Sequence, residues 1–178
     1  MFGLGNWSAL IRFAVLQKGK YRCIDDGSHG HNDTFESSET IHTTSAAAAA
    51  IATRRARQIF GCRLRRSLRF LTGSSDMKRA YKQLAVHPDQ HKYIVICIFN
   101  PELNKWVFAI SWALPFGMSG AVLHFNRVPA FIVALCRRWM AIPVQNFFDD
   151  FRIVEPTSLE GSGFKWFKKI TQLLGLGI

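Results

Sequence analysis

Runs of β-favouring apolar residues dominate the second half of the chain and predict two hairpins. In the first, residues 93–99 and 106–112 flank the turn-forming segment NPELNK. In the second, the segment 142–156 reads IPVQNFFDDFRIVEP, with Asp149 and Asp150 at its tip. The pattern therefore predicts antiparallel β-structure in this half of the chain.

Apolar residues at helical spacing predict two helices in the same half. The segment 121–140 repeats them every three or four positions, and Pro129 near its middle predicts a kink. The segment 163–178 is amphipathic, with lysines opposite its apolar stripe. Four residues form that stripe: Phe164, Phe167, Ile170 and Leu174.

Composition changes twice in the first half. Residues 25–40 are rich in Gly, Asn, Asp and Ser and predict a loop, in which Asp25 and Asp26 would be a solvated pair. An alanine run then begins a predicted helix that Gly61 would end or kink. Seven arginines crowd this region: Arg54, Arg55, Arg57, Arg63, Arg65, Arg66 and Arg69. We interpret it as a basic helix that binds a phosphate backbone, with a low-complexity linker as the alternative.

Length and charge narrow the class of protein. The 178 residues have room for one domain and at most part of a second, and the 48% hydrophobic share excludes a wholly disordered chain. Lys and Arg number 23 against 12 Asp and Glu, so the net charge is +11. This excess predicts a polyanionic partner, with nucleic acid as the first candidate and an anionic membrane surface as the second.

Hydropathy and cysteine use bear on the cellular compartment of the protein. No apolar run approaches the roughly 18 residues that a membrane helix needs. The four cysteines are scattered without a zinc or redox motif. We therefore expect an intracellular protein of the nucleus or cytoplasm, with no membrane partner.

Acidic residues are scarce, so the position of Asp149 and Asp150 between aromatic residues is informative. Burying carboxylates is costly without a counter-charge, which a divalent cation would supply. Mg²⁺ prefers oxygen ligands and is often held by carboxylates together with substrate phosphates, as nucleotidyl transfer requires. Asp76, expected at a turn just after the basic helix, is the best candidate for a third carboxylate of a two-metal site. A plain exposed hairpin turn is the alternative.

Three segments, in order along the chain, resemble motifs of reverse transcriptases. DMKRAYKQLAV, at 76–86, is similar to their first palm motif, and LPFGMSGAVLHFN, at 114–126, to their Leu-Pro-x-Gly segment. NFFDDF, at 146–151, resembles their aromatic-x-Asp-Asp hairpin. KYRCIDDGSHGHN, at 20–32, further resembles an element of their fingers. The chain thus resembles the polymerase domain of retrotransposon or retrovirus-related polyproteins over roughly 18–178.

The resemblance implies an α+β polymerase palm, in which helices cover one face of an antiparallel sheet, together with partial fingers. It assigns 1–74 to the partial fingers and basic helical segment, and 75–178 to a palm truncated before the thumb. The implied activity is RNA-directed DNA polymerisation, with dNTPs added to a primer 3′-hydroxyl on an RNA or DNA template. Further domains of a longer polyprotein are implied partners. A catalytically inactive nucleic-acid-binding remnant is the alternative.

The resemblance also implies roles for the acidic residues. Asp76 and Asp149 would ligate two Mg²⁺ ions, for which Mn²⁺ could substitute, and Asp150 would support the second metal site. Asn126 matches a position near the template, with an ordinary surface position as the alternative. His87 and His91 are not expected to bind metal, because Pro88 interrupts any helix that would align them.

Five residues match nucleotide-binding positions of the family: Lys20, Arg22, Tyr81, Phe116 and Gly117. Lys18 is the alternative to Lys20 near the phosphates. Tyr81 falls at the steric gate that would exclude a 2′-hydroxyl, which speaks against an RNA-directed RNA polymerase. A helical turn after Asp76 would put its ring roughly 7.5 Å from that carboxylate. Ordinary packing of Tyr81 and Phe116 is the alternative.

Overall fold

Two β-sheets and three long helices form the α+β fold that the computed structural model gives for residues 2–3, 5–60 and 69–178. The strands are β1 (Ala9–Gln17), β2 (Lys20–Asp26), β3 (Phe70–Asp76), β4 (Val95–Asn100), β5 (Lys105–Ile110), β6 (Val144–Phe147) and β7 (Asp150–Pro156). The helices are α1 (Ala46–Phe60), α2 (Ser119–Trp139) and α3 (Ser162–Leu173). The predicted α+β class is confirmed.

The chain divides into two units, each built from two separate segments. The first unit comprises Met1–Thr40 and Arg79–Phe125, and the second comprises Ile41–Lys78 and Asn126–Ile178. Each unit draws on residues from both sides of position 74, and the assignment of fingers and palm stays a prediction.

The first unit contains a four-stranded sheet with the order β2-β1-β4-β5. The β1–β2 hairpin turns at Lys18 and Gly19, whose positive φ angles of 51° and 74° are typical of tight two-residue hairpin turns. β1 also pairs in parallel with β4, where Leu10 lies beside Ile96 and both side chains are buried. Packing at this one end anchors the hairpin, because most of its outer residues are exposed.

The second unit contains a three-stranded antiparallel sheet with the order β3-β7-β6. Phe151 of β7 and Phe167 of α3 are fully buried, and their ring centroids are 5.0 Å apart. Glu155 is buried as well, and its Oε2 accepts a hydrogen bond of 2.8 Å from the backbone N–H of Gly163. This carboxylate therefore satisfies an amide that the first turn of α3 leaves without a helical partner.

Most of the predicted secondary structure is confirmed, but two strands were not foreseen. Both predicted hairpins and all three helices are present, and α2 contains Pro129. β1 was missed because exposure of both of its faces removes the alternation of polar and apolar residues that marks a half-buried strand. β3 was missed because its sequence, FLTGSSD, contains glycine and serines. Gly61, Arg63, Arg65 and Arg66 lie outside the described residues.

Two details of the predicted elements are wrong. Asp76 does not lie at a turn just after a basic helix, because it is the last residue of strand β3. Leu174 does not continue the buried stripe of α3, because it follows the last helical residue and is 41% exposed. The buried stripe consists of Phe167, Ile170 and Thr171.

Helix α2 qualifies the expectation about membrane segments. By length and composition alone it could cross a membrane, a test that the core helix of a folded domain also passes. Its residues Ile132 and Cys136 are fully buried, and burial raises the pKa of the Cys136 thiol. This burial fits a packing role for α2.

Candidate active site

The register of β3 and β7 brings the three predicted catalytic aspartates to one end of the second unit's sheet. Asp76 and Asp150 are direct cross-strand partners at the end of the two strands. The backbone N–H of Met77 donates a hydrogen bond of 3.1 Å to the carbonyl oxygen of Asp149. Opposed residues in antiparallel strands have Cα atoms about 4.5–5.5 Å apart, so the pairing of β3 with β7 is enough to bring Asp76 close to Asp150.

A tight turn holds Asp149 at the tip of the β6–β7 hairpin. Phe147 pairs with Asp150, which leaves Phe148 and Asp149 as the two turn residues. Phe148 has a φ of 51°, which is uncommon for a bulky side chain. Asn146 is buried, and its Nδ2 donates a bond of 3.5 Å to the carbonyl of Phe148. Backbone strain of this kind is often concentrated at functional sites.

The environment of the aspartates differs from the one assumed from sequence. Asp76 and Asp150 are exposed and Asp149 is half-buried, so the expected cost of burying carboxylates between aromatic rings does not arise. In the described part of the chain, the Asp149 and Asp150 carboxylates make no hydrogen bond or ion pair, and their oxygen atoms are the ligand type that Mg²⁺ prefers. Among the described residues, no three His, Cys, Asp or Glu side chains lie close enough to hold a metal ion.

Tyr81 belongs to an aromatic cluster in the first unit. Its ring stacks on buried Phe125 at a centroid distance of 4.4 Å and meets Phe116 edge-on at 5.3 Å. Tyr81 lies on a short 3₁₀ helix, Ala80–Gln83, and Arg79 before it has a φ of 55°, so the α-helical turn assumed after Asp76 is absent. Phe116 is 49% exposed, which does not fit the alternative of simple core packing.

Gly117 is required by a close backbone contact within the chain. Its φ is 129°, and a Cβ atom there would lie 2.0 Å from the carbonyl oxygen of Asp25. The backbone N–H of Asp25 in turn donates a hydrogen bond of 2.8 Å to the carbonyl of Phe116. The expected close approach at this glycine is therefore made by strand β2, and its predicted contact with a nucleotide stays a prediction.

We expect Gly117→Ala to destabilise the protein by about 2 kcal/mol or more, because the substitution combines a disfavoured φ with a backbone clash. Thermal unfolding followed by circular dichroism would measure the loss. Gly5→Ala is a suitable control, because Gly5 also has a positive φ but a Cβ atom there meets nothing within 4 Å. Equal losses in the two variants would contradict a specific role for the contact with β2.

Asn32 is a structural residue that the sequence patterns did not mark as important. Its Oδ1 accepts a hydrogen bond of 2.8 Å from the backbone N–H of Ser119, at the start of α2. Its Nδ2 donates one of 3.2 Å to the carbonyl of Gly117. One side chain thereby links the loop after β2 to the segment that carries Phe116. The only signal in the sequence was the asparagine that ends the fingers-like segment.

Lys20 and Arg22 project from one face of the β1–β2 hairpin. They oppose Gln17 and Val15, respectively, and both side chains are exposed. Two residues apart on a strand, they share a face and can present two positive charges to the same ligand. Their exposure leaves both side chains accessible to a phosphate, and contact with one stays a prediction.

The opposite face of this hairpin contains a buried ion pair, so Asp25 is not solvated as expected. Arg12 donates to both carboxylate oxygens of Asp25, at 2.6 and 3.0 Å. The hydrogen bond to Asp25 raises the pKa of Arg12, whereas burial opposes the rise. Asp26 is half-buried, and hydrogen bonds from the hydroxyl and the backbone N–H of Ser28 lower its pKa.

The residues predicted to bind nucleic acid differ in their exposure to solvent. Arg54, Arg55 and Arg57 are exposed on α1. Asn126 is not at the surface: it is only 8% exposed, and its Oδ1 has no hydrogen-bond partner among the described residues. Such an orphaned acceptor is uncommon in a protein interior.

Aromatic side chains cover one exposed face of the first unit's sheet. Cross-strand register and strand alternation put them on the same side, which is also the side of Lys20 and Arg22. We call this surface the aromatic face: Trp7, Phe13, Phe99, Trp106 and Phe108. The rings pair edge-on, with centroid distances of 5.4 Å for Trp7 and Phe108 and 5.5 Å for Phe99 and Trp106.

Comparison with known proteins adds no family assignment. No protein-family model matches the chain, and no curated protein matches it in sequence.

Proposed function

We propose that the chain is the polymerase domain of a reverse transcriptase, with a palm in the second unit. The observation that carries the proposal is the pairing of Asp76 with Asp150 at the same end of the sheet as Asp149. These residues are 73 or 74 positions apart in the sequence, and a strand not expected from composition aligns them. Their order and their carboxylate chemistry fit nucleotidyl transfer.

The aspartates would act as ligands of Mg²⁺ at the hairpin tip. Asp76 and Asp149 would each offer carboxylate oxygens, and Asp150 would support the second metal position. When bound, Mg²⁺ would supply neutralising charge to the triphosphate and activate the primer 3′-hydroxyl. The strained turn at Phe148 would fix Asp149 without requiring the substrate to order it.

The proposed nucleotide-binding residues all belong to the first unit. Lys20 and Arg22 would neutralise the triphosphate, because both are exposed on one face of the β1–β2 hairpin. The Tyr81 ring, held by Phe116 and Phe125, would limit space at the sugar, and Gly117 would shape the backbone that carries Phe116. The proposed partners are dNTPs and a primer annealed to an RNA or DNA template.

Primer extension tests the proposal directly. The purified chain is incubated with an RNA template, a labelled DNA primer, dNTPs and Mg²⁺ or Mn²⁺, and extended products are resolved by length. Metal-dependent extension would support the polymerase. Binding of primer–template without any incorporation under either metal would contradict it.

Such an outcome would instead favour a second function, the binding of nucleic acid without catalysis. The aromatic face is the observation that favours it, because exposed rings beside basic side chains can stack on unpaired bases. Salt-dependent RNA binding would then be retained, since stacking and phosphate contacts need no metal.

Tyr81 tests the choice between deoxyribonucleotides and ribonucleotides. We expect Tyr81→Ala to lower discrimination against ribonucleotides by about tenfold or more, because the ring no longer opposes the 2′-hydroxyl. Tyr81→Phe, which keeps the ring and its packing on Phe125, should retain discrimination. The ratio of kcat/KM for dNTP and rNTP measures both. Unchanged discrimination in Tyr81→Ala would remove the gate role.

A further inference from the structure

A cavity of about 730 Å³ lies between helix α1 and strand β7 within the second unit. Arg54 and Arg57 line it from α1, and Arg152 lines it from β7. Arg54 and Arg57 are three residues apart and so share one side of the helix, whereas Arg55 does not line the cavity. Two distant segments thus bring three guanidinium groups to one cavity.

The described residues around the first cavity place no carboxylate in its lining. Within the described part of the chain, none of the three arginines takes part in an ion pair. Three like charges gathered without a counter-ion favour the binding of an anion.

The rest of the cavity also fits phosphate groups. Arg57 lies over the Phe70 ring, with its guanidinium carbon 5.9 Å from the ring centroid, which restricts its orientation. Gln58 and Thr72 add neutral side chains of the kind that donates hydrogen bonds, whereas the Thr53 hydroxyl already donates to the carbonyl of Ala49. Guanidinium groups bind phosphate oxygens through paired N–H donors, so a phosphate is the anion that this set recognises best.

The cavity continues towards the aspartates along one face of β7. A second cavity, of about 530 Å³, shares Arg152 and is also lined by Asp150 and Ser74. Asp150, Arg152 and Val154 alternate along the strand and therefore point to the same face. From Asp150 to Val154 the strand rises roughly 13 Å, which is the rise of about four nucleotides along one strand of a duplex.

We propose that Arg54, Arg57 and Arg152 bind the phosphate backbone of a nucleic-acid strand whose end lies near Asp150. A strand is favoured over a free phosphate because two linked cavities along β7 accommodate an extended polyanion. Phosphate binding itself is independent of catalysis, and only the position of the strand end rests on the proposed polymerase function.

Fluorescence anisotropy with a labelled RNA–DNA primer–template tests this site at several KCl concentrations. The triple variant R54Q/R57Q/R152Q should bind about tenfold or more weakly and lower the slope of log K against log salt by about 2. Arg138→Gln is the matched control and should change the affinity less than about twofold, because this exposed arginine of α2 does not line the cavity. Equal effects of the triple and control variants, compared per charge removed, would overturn the proposal.

Two further measurements separate strand binding from misfolding and from the binding of a free phosphate. The variant R54K/R57K/R152K keeps the charges and should retain most of the salt slope, and circular dichroism should show that the glutamine variant is folded.

Tripolyphosphate is the probe for a free-phosphate site. If the triple variant loses tripolyphosphate binding in calorimetry but binds primer–template normally, the nucleic-acid assignment is wrong. Because these assays need no incorporation, their outcome is separate from that of primer extension.

Discussion

Asp149→Asn is expected to lower primer extension by about 10³-fold or more while leaving the fold intact. The substitution replaces a carboxylate by a neutral amide of almost the same shape, so it removes negative charge where the proposed metal ions need it. Metal ions supply several kcal/mol of transition-state stabilisation in such reactions, and each 1.36 kcal/mol corresponds to about tenfold in rate. Single-turnover extension with a saturating primer–template measures the chemical step.

Asp76→Asn should have a similar effect, because Asp76 is the cross-strand partner of Asp150 at the same end of the sheet. Asp89→Asn is the control, since the Asp89 side chain is 84% exposed and belongs to the first unit. It should leave extension unchanged. Extension that persists in Asp149→Asn at the wild-type rate would sink the assignment of this residue as a metal ligand.

Arg12→Leu is expected to cost about 3 kcal/mol of unfolding free energy, the largest stability effect that we predict. Asp25 is 4% exposed in its side chain and is held by two hydrogen bonds from Arg12. Removing the arginine leaves an uncompensated carboxylate in a buried position, which costs about 3–5 kcal/mol in comparable pairs. The Arg12 side chain is 26% exposed, and water reaching this position favours the lower end of that range. Urea unfolding at neutral pH measures the change.

The double variant Arg12→Leu/Asp25→Leu separates the pair from its burial cost. Replacing both charges by apolar side chains of similar size is often neutral, so this variant should recover most of the lost stability. Asp26→Asn serves as the neighbouring control and should shift the unfolding midpoint little, because Asp26 is only half-buried and its carboxylate bonds to the nearby Ser28. A double variant as unstable as Arg12→Leu would show that the loss does not arise from the unpaired Asp25 carboxylate.

The position of Asp149 could be predicted from the sequence, whereas the ion pair of Arg12 with Asp25 could not. The Asp149 position was predicted from a local pattern, because a hairpin tip needs only the residues on either side of it. The Arg12–Asp25 pair was not predicted, and Asp25 was instead expected to be solvated. Its burial depends on β1, a strand whose exposed residues hide the usual alternation. A pairing across 13 residues became visible only when the register of the hairpin was known.

The sequence by itself determined the elements that helix propensity, turn residues or apolar patterning mark locally. The β4–β5 and β6–β7 hairpins, the alanine-rich helix α1 and the amphipathic helix α3 belong to this group. Each depends mainly on interactions between residues near in sequence, such as turn geometry, helix propensity and amphipathic spacing. The sequence also determined the basic character of the protein, and it singled out the three aspartates as candidates.

Only the tertiary structure decided which distant residues meet. β3 lacks a clear apolar pattern, and its Gly73 fits a position where a Cβ atom would lie 3.0 Å from the Phe164 ring. The pairing of β3 with β7 puts Asp76 opposite Asp150, and the packing of α1 near β7 gathers Arg54, Arg57 and Arg152. Such contacts depend on strand register and on the packing between elements, which no local pattern encodes.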